Sequence, residues 1–168
     1  MAAVGLTGCG HSGSHPSVST STVVPSGDVK ILLGLLDLEY QTIAAYEGGI
    51  PLLDSASAVD AQQFLRHELS HAGEIGGLLR QAGIKKPPGP RVDYNLGHPR
   101  TSDEVLALLH RLEAAQLAAY LRAIPLVAAG PVRVALASVF ANDAQHVAGL
   151  RSLLRRSPAP AAFVTGRE

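Results

Sequence analysis

A chain of 168 residues is the size of one ordinary domain. With 46% apolar and 17% charged residues it can bury a core, and its 14 basic and 14 acidic side chains cancel. That balance excludes the basic face a nucleic-acid binder needs. The one cysteine, Cys9, excludes an internal disulfide and any cysteine-built zinc or iron centre. Aromatic residues at 4%, with no Trp, leave no stacking platform for bases or sugars, and no apolar run reaches the ~20 residues that span a bilayer.

Residues 1–26 differ in kind from the rest. From Gly8 to Ser26 the chain is rich in Ser, Gly and Thr and lacks helical periodicity, the composition of a flexible tether. Leu6-Thr7-Gly8-Cys9 resembles a bacterial lipobox, in which the cysteine is lipidated and becomes the mature N-terminus. Only eight residues precede Cys9 and none is basic, short of the n-region and most of the h-region of a signal peptide; either the true start lies upstream of Met1 or the match is chance. The expectation is a protein of the cell envelope, exported or held by a lipid on Cys9; a cytoplasmic protein with a loose N-terminal tail is the alternative.

Four helices are predicted next, over residues 28–53, 58–82, 102–128 and 131–156. Pro25-Ser26 opens the first, with Asp28 where the helix dipole favours negative charge. Ser57 and Asp60 are spaced as a capping box for the second, and Gly83 stops it. Thr101 and Glu104 are spaced likewise for the third, and Pro131 suits the first turn of the fourth. The connection from Ile84 to Arg100 is long and Pro-rich, with solvated basic residues, whereas the other two are short. Four helices of matched length with one long crossover between the second and third describe an antiparallel, ferritin-like four-helix bundle over residues 27–156. Residues 157–168 read as a loose tail.

The chain contains its own copy. LEYQTIAAYEGGIPLL from Leu38 and LEAAQLAAYLRAIPLV from Leu112 share 8 of 16 residues at an offset of 74, among them Glu39/Glu113, Tyr46/Tyr120 and Pro51/Pro125. At an offset of 75, FLRHELSHAGEIGGLL from Phe64 faces VFANDAQHVAGLRSLL from Val139, pairing Glu68 with Asp143 and His71 with His146. A repeated helix pair within one bundle implies a pseudo-two-fold axis, about which the paired residues meet.

The paired polar residues carry the chemistry. Glu68-x-x-His71 and Asp143-x-x-His146 each point a carboxylate and an imidazole the same way from one helix. Glu39 and Glu113 lie on apolar stripes that face the core, the first among Leu32, Leu35, Leu36 and Ile43, the second among Leu106, Leu109, Leu117 and Tyr120. Four carboxylates buried together cost several kcal/mol each as bare ions. Two divalent cations cancel that charge, and two neutral imidazoles complete their shell, the ligand pattern of di-iron and di-manganese bundles. One Glu-x-x-His on a helix ordinarily marks a solvated face; two of them with two further Glu, all at duplicated positions, do not. Tyr46 and Tyr120, each two turns beyond its Glu, are placed to hydrogen-bond carboxylates across the bundle. His67, Glu74 and Glu47 have Asn142, Gly149 and Leu121 as counterparts and read as residues of the surface or of the layer just outside the ligands. His110, one turn before Glu113, reads as exposed, with membership of the site as the alternative, and His11, His15 and His98 read as incidental.

With LEYQTIAAYE, HELSH, LEAAQLAAYL and NDAQHVAGLR in this order, residues 29–154 resemble the ferritin-like superfamily, most nearly the ferritin-like domain of the desiccation-related type. Ferritins and rubrerythrins of that superfamily bind two irons and react with O2 or peroxide. The resemblance implies two iron ions, with manganese as the other choice, on Glu39, Glu68, His71, Glu113, Asp143 and His146, with Glu39 and Glu113 bridging. Asp143 stands where the pattern has Glu, one methylene shorter, and is expected not to bridge both metals, leaving one site weak or water-filled. The Cys-rich electron-transfer module of rubrerythrins has no counterpart in these 168 residues. The expected function is metal binding with oxidation of the bound iron. The alternative is a non-catalytic envelope scaffold for stress or desiccation tolerance, with a storage cage or smaller homo-oligomer as a lesser option.

Overall fold

Prolines and caps set the ends of the helices. The computed structural model describes residues 24–167, so Cys9 and most of the tether lie outside it. The chain order is α1 (Ser26–Gly49), α2 (Ser55–Gln81), α3 (Ser102–Ala123) and α4 (Gly130–Leu153), with no strand among the described residues. At 22 to 27 residues, the helices are about 33–40 Å long. They form the expected ferritin-like four-helix bundle, and none is long and apolar enough to cross a membrane.

Helices α1 and α3 end earlier than their apolar patterns predict. Each passes into a short 3₁₀ turn, Ile50–Leu52 and Ile124–Leu126. Pro51 and Pro125 have no N–H to continue the α-helical ladder, so the last turn tightens instead. Helix α2 starts earlier than predicted. Its cap is Asp54, which accepts from the backbone N–H of Ala56 at 3.1 Å and of Ser57 at 3.0 Å. The Ser57/Asp60 pairing is therefore not the cap: the helix has already begun at Ser55, and the Ser57 hydroxyl instead donates to Asp54 Oδ2 at 2.8 Å. The α2 stop is as read: Gly83 has φ +91°, with Ile84 N–H donating to Leu79 O at 3.0 Å in a Schellman closure. Thr101 and Glu104 form the predicted capping box of α3.

The two halves are tied together at their helix starts. Asp28 of α1 accepts from Ala128 and Ala129 N–H, at 3.0 and 2.9 Å, in the linker before α4. Ser102 of α3, its counterpart at the repeat offset, donates at 3.2 Å to Asp54, before α2. The crossover from Ile84 to Arg100 is held to the bundle by Arg91, which donates to Asp37 of α1. After α4 no helix forms, but Gly166 lies so close to Ala114 and Ala118 of α3 that a Cβ there would have no room.

The core is divided. One apolar cluster holds Leu32, Leu35, Leu36, Ile75, Leu79, Leu136 and Val139; the other holds Ala45, Tyr46, Ala61, Leu106, Leu109 and Leu150. On every helix the fully buried acid falls between residues of the two clusters: Glu39, Glu68, Glu113 and Asp143. Apolar layers above and below thus enclose a polar band at mid-bundle.

Candidate metal centre

Six side chains converge in that band, from all four helices. His71 Nδ1 lies 3.2 Å from Asp143 Oδ1, 3.3 Å from Glu68 Oε1 and 3.7 Å from Glu39 Oε2. His146 Nδ1 lies 3.2 Å from both Glu68 Oε1 and Glu113 Oε1, and 4.0 Å from Asp143 Oδ1. Among the described residues, two groups of ligand atoms fall within 4.8 Å of one another: Glu68, Glu113, Asp143 and His146, and Glu39, His71 and Asp143. All six residues are buried.

The acids are not shared evenly between the two imidazoles. Glu39 serves only the His71 group and Glu113 only the His146 group. Glu68 and Asp143 stand between the two imidazoles. Asp143 belongs to both groups despite its shorter side chain. The reason lies in helix geometry: the i, i+3 spacing sets each of these acids beside its own imidazole and in reach of the other helix's imidazole, whereas Glu39 comes from α1 beside His71 and Glu113 from α3 beside His146.

Close as these atoms are, they do not hydrogen-bond one another. Glu39 Oε2, Glu68 Oε1, Glu113 Oε2, both Asp143 oxygens and both Nδ1 atoms of His71 and His146 are buried without a hydrogen-bond partner. Buried polar atoms are otherwise satisfied in folded proteins, and a site of this kind calls for an ion. Hard carboxylate oxygens with imidazole nitrogens suit iron, manganese or zinc. The residues present fit a divalent metal pair.

Protonation carries the same strain. Burial drives the Glu39 carboxyl well above its ordinary value, and the neighbouring Glu68 and Asp143 add to the rise. Burial and the charge of Glu68 push Glu113 up to about 8, and burial raises Asp143. Burial alone would raise Glu68 as well, but His146 and His71 outweigh it and hold it at about 2. Burial lowers the two ligand imidazoles; the carboxylates overcome this, with Asp143 foremost for His71, at about 12, and Glu113 for His146, at about 10. Protons are thus doing the work of cations in this pocket.

A surrounding layer of hydrogen bonds fixes the acids. Tyr46 donates to Glu113 Oε1 at 2.6 Å, and Tyr120 donates to Glu39 Oε1, each crossing between α1 and α3 as the repeat implies. Burial, and then the adjacent carboxylate, raises both phenols well above their ordinary value, so they remain donors. Gln116 and Thr42 were not singled out from the sequence. Thr42 donates to Gln116 Oε1 at 2.7 Å, and Gln116 Nε2 donates to Glu68 Oε2 at 3.0 Å. The signal was available, since Thr42 and Gln116 are polar residues at the 74-residue offset, one turn beyond Glu39 and Glu113.

Of the two readings of His67, the structure takes the one just outside the ligands rather than the surface one. Its Nδ1 lies 2.9 Å from His146 Nε2, and the two rings stack at 5.2 Å with 14° between their planes. Burial, then the charges of His146 and His71, lowers its pKa, and the two rings share one hydrogen bond whose direction is set by their tautomers. His110, expected exposed, is buried on α3, yet it belongs to neither ligand group. Glu47 and Glu74 are exposed as expected.

The fold is shared with a conserved hypothetical protein from Mycobacterium tuberculosis, rv2844. Its crystal structure is similar to this chain with a TM-score of 0.73 and 19% identity, over 82% of this chain and 97% of that one. No curated protein matches the sequence. The model of the ferritin-like domain matches residues 27–156, which span all four helices and all six converging side chains; the chain belongs to the ferritin-like domain family.

Proposed function

We propose that the protein binds two divalent metal ions, iron in the first instance, at mid-bundle, and that the ferrous pair is oxidised by O2 or peroxide. The observation that carries this reading is the set of seven buried oxygen and nitrogen atoms, on six residues, that face one another without a hydrogen bond. A bundle serving only as a scaffold gains nothing from such a set, because each unsatisfied buried polar atom costs about 1–3 kcal/mol.

When bound, iron supplies the electrons for reduction of O2 or peroxide. The protein's own residues do the rest. Glu68 and Asp143 supply the shared carboxylates, Glu39 and Glu113 the outer ones, and His71 and His146 one nitrogen to each position. Tyr46, Tyr120 and Gln116 hold the carboxylates in place, so little rearrangement is needed on loading. The apolar clusters on either side exclude bulk water and keep the acids' charge available to the cations.

The test is anaerobic addition of ferrous iron followed by oxygen. The expected result is near-ultraviolet absorbance of ferric iron that saturates at two irons per chain and is lost in Glu113→Ala. Absence of binding, with wild type and Glu113→Ala alike, contradicts the proposal.

A further inference from the structure

The pseudo-two-fold axis relates the two metal positions, but the residues that cover them do not match. On the His146 side, Phe64 stacks against the His146 ring at 4.5 Å and His67 bonds and stacks with it from α2. Gly149 makes room for the aromatic ring: a Cβ there would lie 2.8 Å from Phe64. The repeat offset of 75 places Val139, Asn142 and Glu74 at the corresponding three positions around His71. The aromatic ring becomes an isopropyl group, the imidazole an amide, and the glycine an exposed acid.

The consequence is visible in space. His146 has no exposed surface, whereas His71 is 8% exposed. Between α2 and α4 a pocket of about 470 Å³ reaches His71, lined by Ser70, Glu74, Ser138, Val139 and Asn142. The His146 group also offers four ligand residues, against three for the His71 group.

The geometry points to a division of labour that rests on the metal-binding reading: the His146 position is a closed, retained site, and the His71 position is the open one. Through the α2/α4 pocket the second metal enters and leaves, and O2 or peroxide approaches. Glu74 at the mouth attracts hydrated cations, and Ser70, Ser138 and Asn142 offer polar atoms to a partly hydrated ion on its way in. The three mismatched pairs are what convert a symmetric pair of sites into a port and a store.

The test is release of Co2+ from the full chain, loaded with two equivalents and mixed with excess chelator, followed by absorbance. No redox step is involved. Two phases of equal amplitude are expected, differing at least about tenfold in rate, the scale on which residues around a metal's ligands act. Filling the pocket with the paired change Val139→Phe and Asn142→His slows only the fast phase, by about tenfold. Opening the other side with His67→Ala speeds only the slow phase by a similar factor. Glu74→Lys, a surface change that leaves the core untouched, slows loading of one equivalent and not the other.

A single phase for both ions overturns the inference and leaves the metal pair standing. So does a fast phase that ignores both the filled pocket and Glu74→Lys, or one that answers to His67→Ala. Failure to bind Co2+ at all overturns the metal reading, and this inference with it.

Discussion

The Tyr46 hydroxyl, on α1, donates to Glu113, on α3, at 2.6 Å, and both groups are wholly buried. Neither residue can change partner without leaving the other's polar atom dry. The pair therefore fixes where the Glu113 carboxylate points before any cation arrives. Tyr46→Phe keeps the ring and its packing while removing the donor. The expected outcome is metal affinity lowered about 10- to 100-fold with the helical content intact. Calorimetric titration of wild type and variant checks this, and Tyr120→Phe acts alike through Glu39.

Gln116 links Thr42 to Glu68. Replacing it by Leu, close in volume, leaves the Thr42 hydroxyl without its acceptor and Glu68 without a donor. We expect a metal-free protein less stable by about 1–3 kcal/mol, seen in denaturant melts. The same variant is expected to bind metal about tenfold more weakly, because one of the two shared carboxylates is no longer held.

The pH dependence has a definite sign. Folding raises His71 to about 12 and His146 to about 10 from 6.5, and Glu113 to about 8 from 4.5. Between the lower and upper value of each group the folded chain holds a proton that the unfolded chain has released, so stability falls with rising pH across that window. The histidines' favourable contribution is complete below pH 6.5 and lost as pH climbs through 10 and 12. The Glu113 penalty begins near 4.5 and is complete above 8. Glu68, held at about 2, acts in the opposite direction but only below 4.5. The metal-free melting temperature is expected to fall from pH 5 to pH 9. Cations displace these protons, so the rise in melting temperature on adding metal grows over the same range. Calorimetric scans with and without metal across this range check both signs.

Much of this architecture was readable before any coordinates. The 74- and 75-residue offsets brought out Glu39, Glu68, His71, Glu113, Asp143 and His146 together, because a carboxylate kept on an apolar stripe in both halves has no ordinary role. Thr101 and Glu104 announced the α3 start for the same kind of reason, a local hydrogen-bond pattern that tertiary packing does not alter. What escaped was of two sorts. The α2 cap was misplaced because Asp54, Ser55 and Ser57 are all competent caps within four residues. The contact of His67 with His146 was not foreseen because symmetry was the filter, and the counterpart of His67 is Asn142. The departure from the repeat was itself informative, since it decides which imidazole is covered. That Glu68 and Asp143 each lie near both imidazoles was out of reach for another reason: it depends on the distance between α2 and α4, which no spacing along one helix reports.

Arg155 follows α4 with φ +57°, in a closure where Arg156 N–H donates to Arg151 O at 2.8 Å. At the equivalent place after α2 stands Gly83. A side chain in this left-handed region costs roughly 1–2 kcal/mol, so Arg155→Gly is expected to stabilise the protein by about 1 kcal/mol. A thermal melt, with metal binding unchanged, verifies it.

The central claim is that cations occupy mid-bundle between Glu68 and Asp143. Anomalous diffraction from crystals grown with ferrous iron, recorded on both sides of the iron edge, addresses it directly. The account predicts two peaks in the polar band, one beside His71 Nδ1 and one beside His146 Nδ1, with Asp143 reaching both. A band free of anomalous density, in crystals whose surface sites do carry iron, would contradict it.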